Sequence, residues 1–121
     1  MWIYHQKTGQ LYKDAQLLGT GYSGHGAGLN NPDLQSTAMV GPIPVGFYTI
    51  GTAYTEPYEH KMPPVMHLIP DSTNNMYGRS GFLIHGDSIS APGTASEGCI
   101  ILNHTIRVII SKSTDRRLQV I

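Results

Sequence analysis

Apolar residues in this chain fall in short runs broken by Gly, Pro and polar positions, and helical spacing emerges only towards the C-terminus. Trp2 to His5 and Gln10 to Lys13 flank Lys7-Thr8-Gly9, and their alternation around turn residues predicts a β-hairpin. Leu17 to Tyr22 predicts a further strand. Gly24 to Met39 is polar and rich in Gly, Asn and Pro, as expected of a long surface loop lining a site. Phe47 to Tyr54 reads as a strand whose entry is set by Pro42 and Pro44, since proline restricts its own backbone and that of the residue before it. A polar excursion from Thr55 to Pro64 precedes a strand at Val65 to Ile69. Phe82-Leu83-Ile84 and Ile100-Ile101-Leu102 are continuous apolar runs, as in buried strands. Asn103 is placed to cap a helix with Ile106, Ile109 and Ile110 on one face, against the preference of its β-branched residues, and Leu118 to Ile121 predicts a last strand.

These elements predict a mostly β fold, a small sandwich or open barrel with one or two short helices. The 14 Gly and 8 Pro agree, because they suit short strands and turns better than a helical bundle. A length of 121 residues is that of one domain with one core, so residues 1–121 are expected to form a single catalytic unit. Formal net charge is zero with 13% charged residues. The chain therefore lacks the basic field that nucleic acid or an anionic membrane surface would attract, and neither is expected as a partner. No stretch approaches the roughly 18 apolar residues of a membrane span, so no insertion is expected. Met1 to Gln6 lacks a basic and then apolar leader, so a substrate outside the cytoplasm would require delivery by other means.

Chemistry concentrates in two segments. Leu83-Ile84-His85-Gly86-Asp87-Ser88 ends one buried run, and Ala95-Ser96-Glu97-Gly98-Cys99 leads into the other. Cys99 is the only cysteine, which excludes an internal disulfide. A lone cysteine is often an inert buried hydrophobe. Here a flexible polar lead-in and a rigid following strand set it at a strand end, and His85 sits at the end of another. Imidazole beside a thiol makes a nucleophile, because an unassisted thiol is mostly protonated at neutral pH. Asp87 follows the candidate base, either to orient it or to organise the loop through turn hydrogen bonds. Arg79 is either a bidentate anchor for a substrate carboxylate or a solvated loop arginine. His5, His25, His60, His67 and His104 are scattered without ligand spacing. A zinc set of His85, Cys99 and His104 lacks the usual tight pattern, so no metal and no cofactor is expected. Tyr48, Tyr54, Tyr58 and Tyr77 suit either a glycopeptide groove or ordinary half-buried packing.

The two segments resemble the paired motifs of the L,D-transpeptidase catalytic domain, an Ile-His-Gly element followed by a Ser-His-Gly-Cys-Ile element. They are more similar to a group of small domains that includes antibacterial type VI secretion effectors, in which the second element reads Ser-Glu-Gly-Cys. Gly19-Thr20-Gly21-Tyr22-Ser23-Gly24 with Asn30-Asn31-Pro32, and Gly41-Pro42-Ile43-Pro44-Val45-Gly46-Phe47-Tyr48, fit the same group. The likeness spans about Gly19 to Leu102. Two departures stand out: Glu97 occupies the position where most of the broader family has His, and Ile101 one where many members have Arg. The roles of those family residues therefore do not transfer.

The resemblance implies acyl transfer on peptidoglycan stem peptides, as L,D-carboxypeptidase, L,D-transpeptidase or D-amino acid exchange. It implies Cys99 as nucleophile, His85 as base, and a main-chain carbonyl, that of Gly86, as an alternative to Asp87 for orienting the imidazole. Backbone N–H groups of Gly98 and Cys99 are expected to hold the oxyanion. Tyr22, Ser23, Arg79, Ser88, Ser96 and Glu97 are the expected substrate contacts. An effector toxin of this kind would be delivered to a target periplasm by secretion machinery and met by a cognate immunity protein. Two other readings stay open: a cell-wall cysteine amidase, disfavoured because such enzymes place the nucleophile before the histidine, and a non-catalytic peptidoglycan-binding module, disfavoured by the retention of both His85 and Cys99.

Overall fold

The computed structural model describes residues 1–121 as a mostly β fold. Its strands are β1 (Trp2–Tyr4), β2 (Gln10–Lys13), β3 (Gln16–Thr20), β4 (Gly46–Ile50), β5 (Met66–Pro70), β6 (Leu83–His85), β7 (Ile100–Ile101) and β8 (Arg117–Val120), with one α-helix, α1 (His104–Lys112). The eight strands form one mixed sheet in the order β3-β2-β1-β8-β4-β5-β6-β7. The predicted hairpin is β1–β2, with Trp2 opposite Lys13. Gly9 closes its turn at φ +74°, where a Cβ would lie 2.0 Å from the Gly21 carbonyl oxygen, so only glycine fits. The last strand inserts at the centre, parallel to β1 and antiparallel to β4. The other parallel pair is β6–β7, which carries the two chemical segments side by side.

The sheet curls into a half-barrel. Its two ends approach where Tyr22, just past β3, exchanges main-chain hydrogen bonds with Ile101 of β7 at 3.1 and 2.8 Å. Inside the curl Trp2, Tyr4, Tyr48, Leu68, Ile84, Ile100 and Leu118 form the core. The strand expected from Phe47 to Tyr54 stops at Ile50, and Tyr54 contributes only an isolated pairing with Val65. The loop from Gly24 to Met39 contains two 3-10 turns, Gly26–Gly28 and Pro32–Leu34.

Helix α1 starts as its sequence predicts, with Asn103 Oδ1 accepting from the Ile106 N–H at 2.9 Å. Ile106 and Ile110 are buried, each contributing about 2 kcal/mol by removal of apolar surface from water. Ile109, expected on the same face, is 46% exposed. Arg107 takes the inward position instead: its Nε donates to the Leu102 carbonyl and its Nη1 to those of Met62 and Pro64. Apolar spacing could not anticipate a buried arginine that satisfies main-chain carbonyls from an otherwise β-branched helix.

Candidate active site

Strand register brings His85 and Cys99 together. In the β6–β7 pair Ile84 lies opposite Ile100 and His85 opposite Ile101. Because side chains alternate along strands, Leu83, His85 and Cys99 share the face opposite the core residues Ile84 and Ile100. The Leu83 N–H donates to Cys99 Sγ at 3.3 Å, tying the thiol to the neighbouring strand. Both His85 and Cys99 line one cleft of about 480 Å³, with Glu59, Lys61, Arg79 and Glu97 around it. No hydrogen bond joins thiol to imidazole in this state.

The imidazole is oriented by its neighbour's backbone. His85 Nδ1 lies 2.8 Å from the Gly86 carbonyl oxygen, which can only accept. That contact assigns the proton to Nδ1 and leaves Nε2 with its lone pair. Of the two candidates for this role the Gly86 carbonyl fills it. Asp87 instead accepts from the Tyr22 hydroxyl at 2.6 Å, the Ser88 N–H at 2.8 Å and the Gly93 N–H at 3.2 Å, and so organises the loop between the two chemical segments.

Two buried hydroxyls fix the loop that carries the thiol. Ser96 Oγ donates to the Cys99 carbonyl at 2.6 Å and accepts from the N–H groups of Gly24 and Gly98 at 2.9 and 3.1 Å. Ser23 Oγ donates to the Gly98 carbonyl at 2.8 Å and accepts from the Ile43 N–H at 2.8 Å. Both serines are 0% exposed. Their hydroxyls are committed to the main chain around the thiol loop, and neither serine lines the thiol cleft. Gly98 sits at φ +135°, and a Cβ there would lie 2.6 Å from both Arg79 Nη2 and Phe82 Cε1.

Arg79 is neither a free anchor nor a solvated arginine. It is 8% exposed and lies over the Phe82 ring. Its Nη1 donates to the carbonyls of Gln35 and Pro42, and its Nη2 to those of Gly41 and Glu97. The four terminal N–H groups are thus spent on tying the Gly41-Pro42 segment to the thiol loop. Tyr22 is likewise structural, since its hydroxyl bonds Asp87 and the Ala95 N–H and its ring lines a separate small cavity with His104. Burial, then the Asp87 hydrogen bond, pushes the Tyr22 phenol up to about 12. Ser88 caps its own turn through the Ala91 N–H, and it lines a second cleft beyond His85. Glu97 keeps an exposed side chain on the thiol cleft. The Gly98 N–H, expected to face an oxyanion, is committed to Ser96 Oγ, whereas the Cys99 N–H has no partner.

Burial sets the protonation of the pair. It pushes the Cys99 thiol up and pulls the His85 imidazole down, in each case as the leading cause. Both directions favour the uncharged forms, a thiol beside an imidazole that is a base ready to accept a proton. Lys61 and Glu59 also line the thiol cleft, although no motif or spacing singles them out. They lie in the polar excursion, where a Tyr58–Lys61 pairing folds the chain back towards His85. His104 faces the small cavity at the start of α1, so the candidate zinc set does not assemble, and no group of three or more His, Cys, Asp or Glu converges anywhere in the structure. A larger groove of about 670 Å³, lined by Tyr54, His67, Ile69 and Phe82, contains neither Cys99 nor His85. No helix is long and apolar enough to cross a membrane.

A family model described as the Tlde1 domain matches residues 19–120. No curated protein and no solved structure matches the chain.

Proposed function

Because the chain belongs to the Tlde1 domain family, the type VI L,D-transpeptidase effector domains, we propose that it is a cysteine-dependent acyl transferase acting on peptidoglycan stem peptides. The observation that carries this reading is His85 at the end of β6 and Cys99 just before the parallel β7, in one cleft, with the Gly86 carbonyl holding the imidazole as the tautomer that bares Nε2. Family membership implies an L,D-transpeptidase-like enzyme and a peptidoglycan substrate. The shared cleft supports Cys99 as nucleophile and His85 as base in this reading.

In the proposed reaction His85 Nε2 takes the thiol proton as Cys99 Sγ adds to the carbonyl carbon of the third, L-configured residue of a stem. The developing oxyanion is met by the free Cys99 N–H, which points opposite the Gly98 carbonyl of the same planar peptide, a carbonyl that Ser23 holds in place. Collapse breaks the bond to the terminal D-amino acid, whose nitrogen receives the proton from His85. The thioester then passes to water, to a free D-amino acid or to the side-chain amine of another stem, giving trimming, exchange or a cross-link. In a competitor's periplasm such trimming removes donors for wall cross-linking, the toxic outcome this reading assigns to an effector.

Incubation with purified tetrapeptide muropeptides tests the reading. Mass spectrometry is expected to show loss of the terminal residue, or its replacement when a free D-amino acid is supplied. Muropeptides returned unchanged under both conditions would exclude the activity.

A further inference from the structure

The thiol cleft and the second cleft beyond His85, about 570 Å³, share Lys61, His85 and Ala95, so His85 stands where the two meet. Three cations line these clefts, and they differ in what their charge already does. Arg79 spends its terminal N–H groups on four main-chain carbonyls. Arg107 is 6% exposed, pinned by three carbonyls through Nε and Nη1, with Nη2 packed against Gly86. Lys61 has the most open head group of the three, since Arg107 is buried and keeps only Nη2 free of a hydrogen bond. Its side chain is 30% exposed, its only carboxylate neighbour is Glu59 at 3.9 Å, and its ammonium makes no hydrogen bond.

Taking the reaction proposed above as the premise, the geometry points to Lys61 as the anchor for the free α-carboxylate of the leaving D-amino acid, making the enzyme selective for stems that end at that residue. His85 must protonate the departing nitrogen, so the leaving residue lies against His85, and its carboxylate is only two bonds from that nitrogen. An anion there requires a cation beside the imidazole, and an ammonium on a flexible stem can follow the carboxylate as the amide bond lengthens. Glu59 and Glu97 line only the thiol cleft, while Asp87, the carboxylate on the other side, is committed to Tyr22, Ser88 and Gly93. The Lys61 charge is also felt at both reacting groups, drawing the Cys99 thiol down against the larger effect of burial and the His85 imidazole down in the same direction as burial. An ammonium whose one carboxylate neighbour, Glu59, stands 3.9 Å away is thus near both.

The test compares kcat/KM for a tetrapeptide stem with a free C-terminal carboxylate and for the same stem as its C-terminal amide, in the wild type, Lys61→Gln and Lys61→Arg. The wild type is expected to favour the acid by on the order of tenfold or more, the scale of one charge-assisted hydrogen bond. Lys61→Gln is expected to lose that preference by losing the acid rate alone, and Lys61→Arg to keep most of it. A wild type indifferent to the amide, or a preference that survives in Lys61→Gln, overturns the anchor, the latter assigning it to another group such as Arg107. An equal fall on both substrates also overturns it, leaving Lys61 an aid to thiol ionisation. No turnover of either peptide by the wild type overturns the reaction itself, and the role of Lys61 with it.

Discussion

The neutral resting pair makes separate predictions for catalysis and for thiol labelling. His85 is active as the free base, and burial holds its pKa below the ordinary value of about 6.5, so turnover should persist below that pH and fall only as the pH drops through the depressed value. The same shift means that the unfolded chain takes up a proton before the native state does, so stability should begin to decline as pH falls past about 6.5. Alkylation of Cys99 without substrate should be slow at neutral pH and rise on the alkaline side, because burial raises the thiol. His85→Ala should abolish turnover at neutral pH while changing that alkylation profile far less, whereas His104→Ala should alter neither. Rapid alkylation at pH 7 that disappears in His85→Ala would indicate a preformed ion pair. The sequence made His85 and Cys99 legible because a lone thiol and an imidazole at strand ends have few other combined uses. It could not distinguish Ser23 and Ser96 as buried scaffolding from substrate contacts, since a hydroxyl serves either end and only burial decides.

Among the elements, the loop from Ser96 to Cys99 concentrates the cost of being a site. Removing Ser96 Oγ strands two N–H donors and a carbonyl, so Ser96→Ala should destabilise the protein by about 2–3 kcal/mol and lower kcat together with it. Gly98→Ala should be worse, because it combines a positive φ with contacts at 2.6 Å to Arg79 and Phe82, and denaturant unfolding with parallel kinetics would measure both effects. Near-native stability and rate in Gly98→Ala would show that the loop tolerates movement. The strand runs at Val65 to Ile69 and around His85 and Cys99 were readable from continuous apolar residues, and α1 from its cap. The inward turn of Arg107 and the four-carbonyl grip of Arg79 were not, because a buried arginine is decided by carbonyls supplied from distant segments: Gln35, Gly41 and Pro42 for one, Met62 and Pro64 for the other. The same distance hid Lys61, which reaches the site only when the excursion folds back.

At the scale of the whole molecule, the curl of the sheet is what joins the Gly19 to Gly24 segment to the catalytic strands. Tyr22 meets Ile101 in the main chain and Asp87 through its hydroxyl, so the seam of the half-barrel and the loop beyond His85 are held by one residue. Gly21 permits this approach: a Cβ there would lie 1.8 Å from the Ile101 carbonyl oxygen. Gly21→Ala should therefore open the seam, lowering Tm by at least about 5 °C and reducing turnover although residue 21 touches neither reacting group. The mostly β class followed from the spacing of short apolar runs, but the central insertion of β8 could not, because pairing between the first and last strands leaves no local signature. The claim on which the functional account rests is that Cys99 carries the acyl group. Intact-protein mass spectrometry of a rapidly acid-quenched reaction with tetrapeptide stems measures this directly. The account predicts an added mass equal to the stem lacking its terminal residue, located on the peptide containing Cys99 and absent from Cys99→Ala. Turnover at the wild-type rate by Cys99→Ala, or an adduct on any other residue, would contradict it.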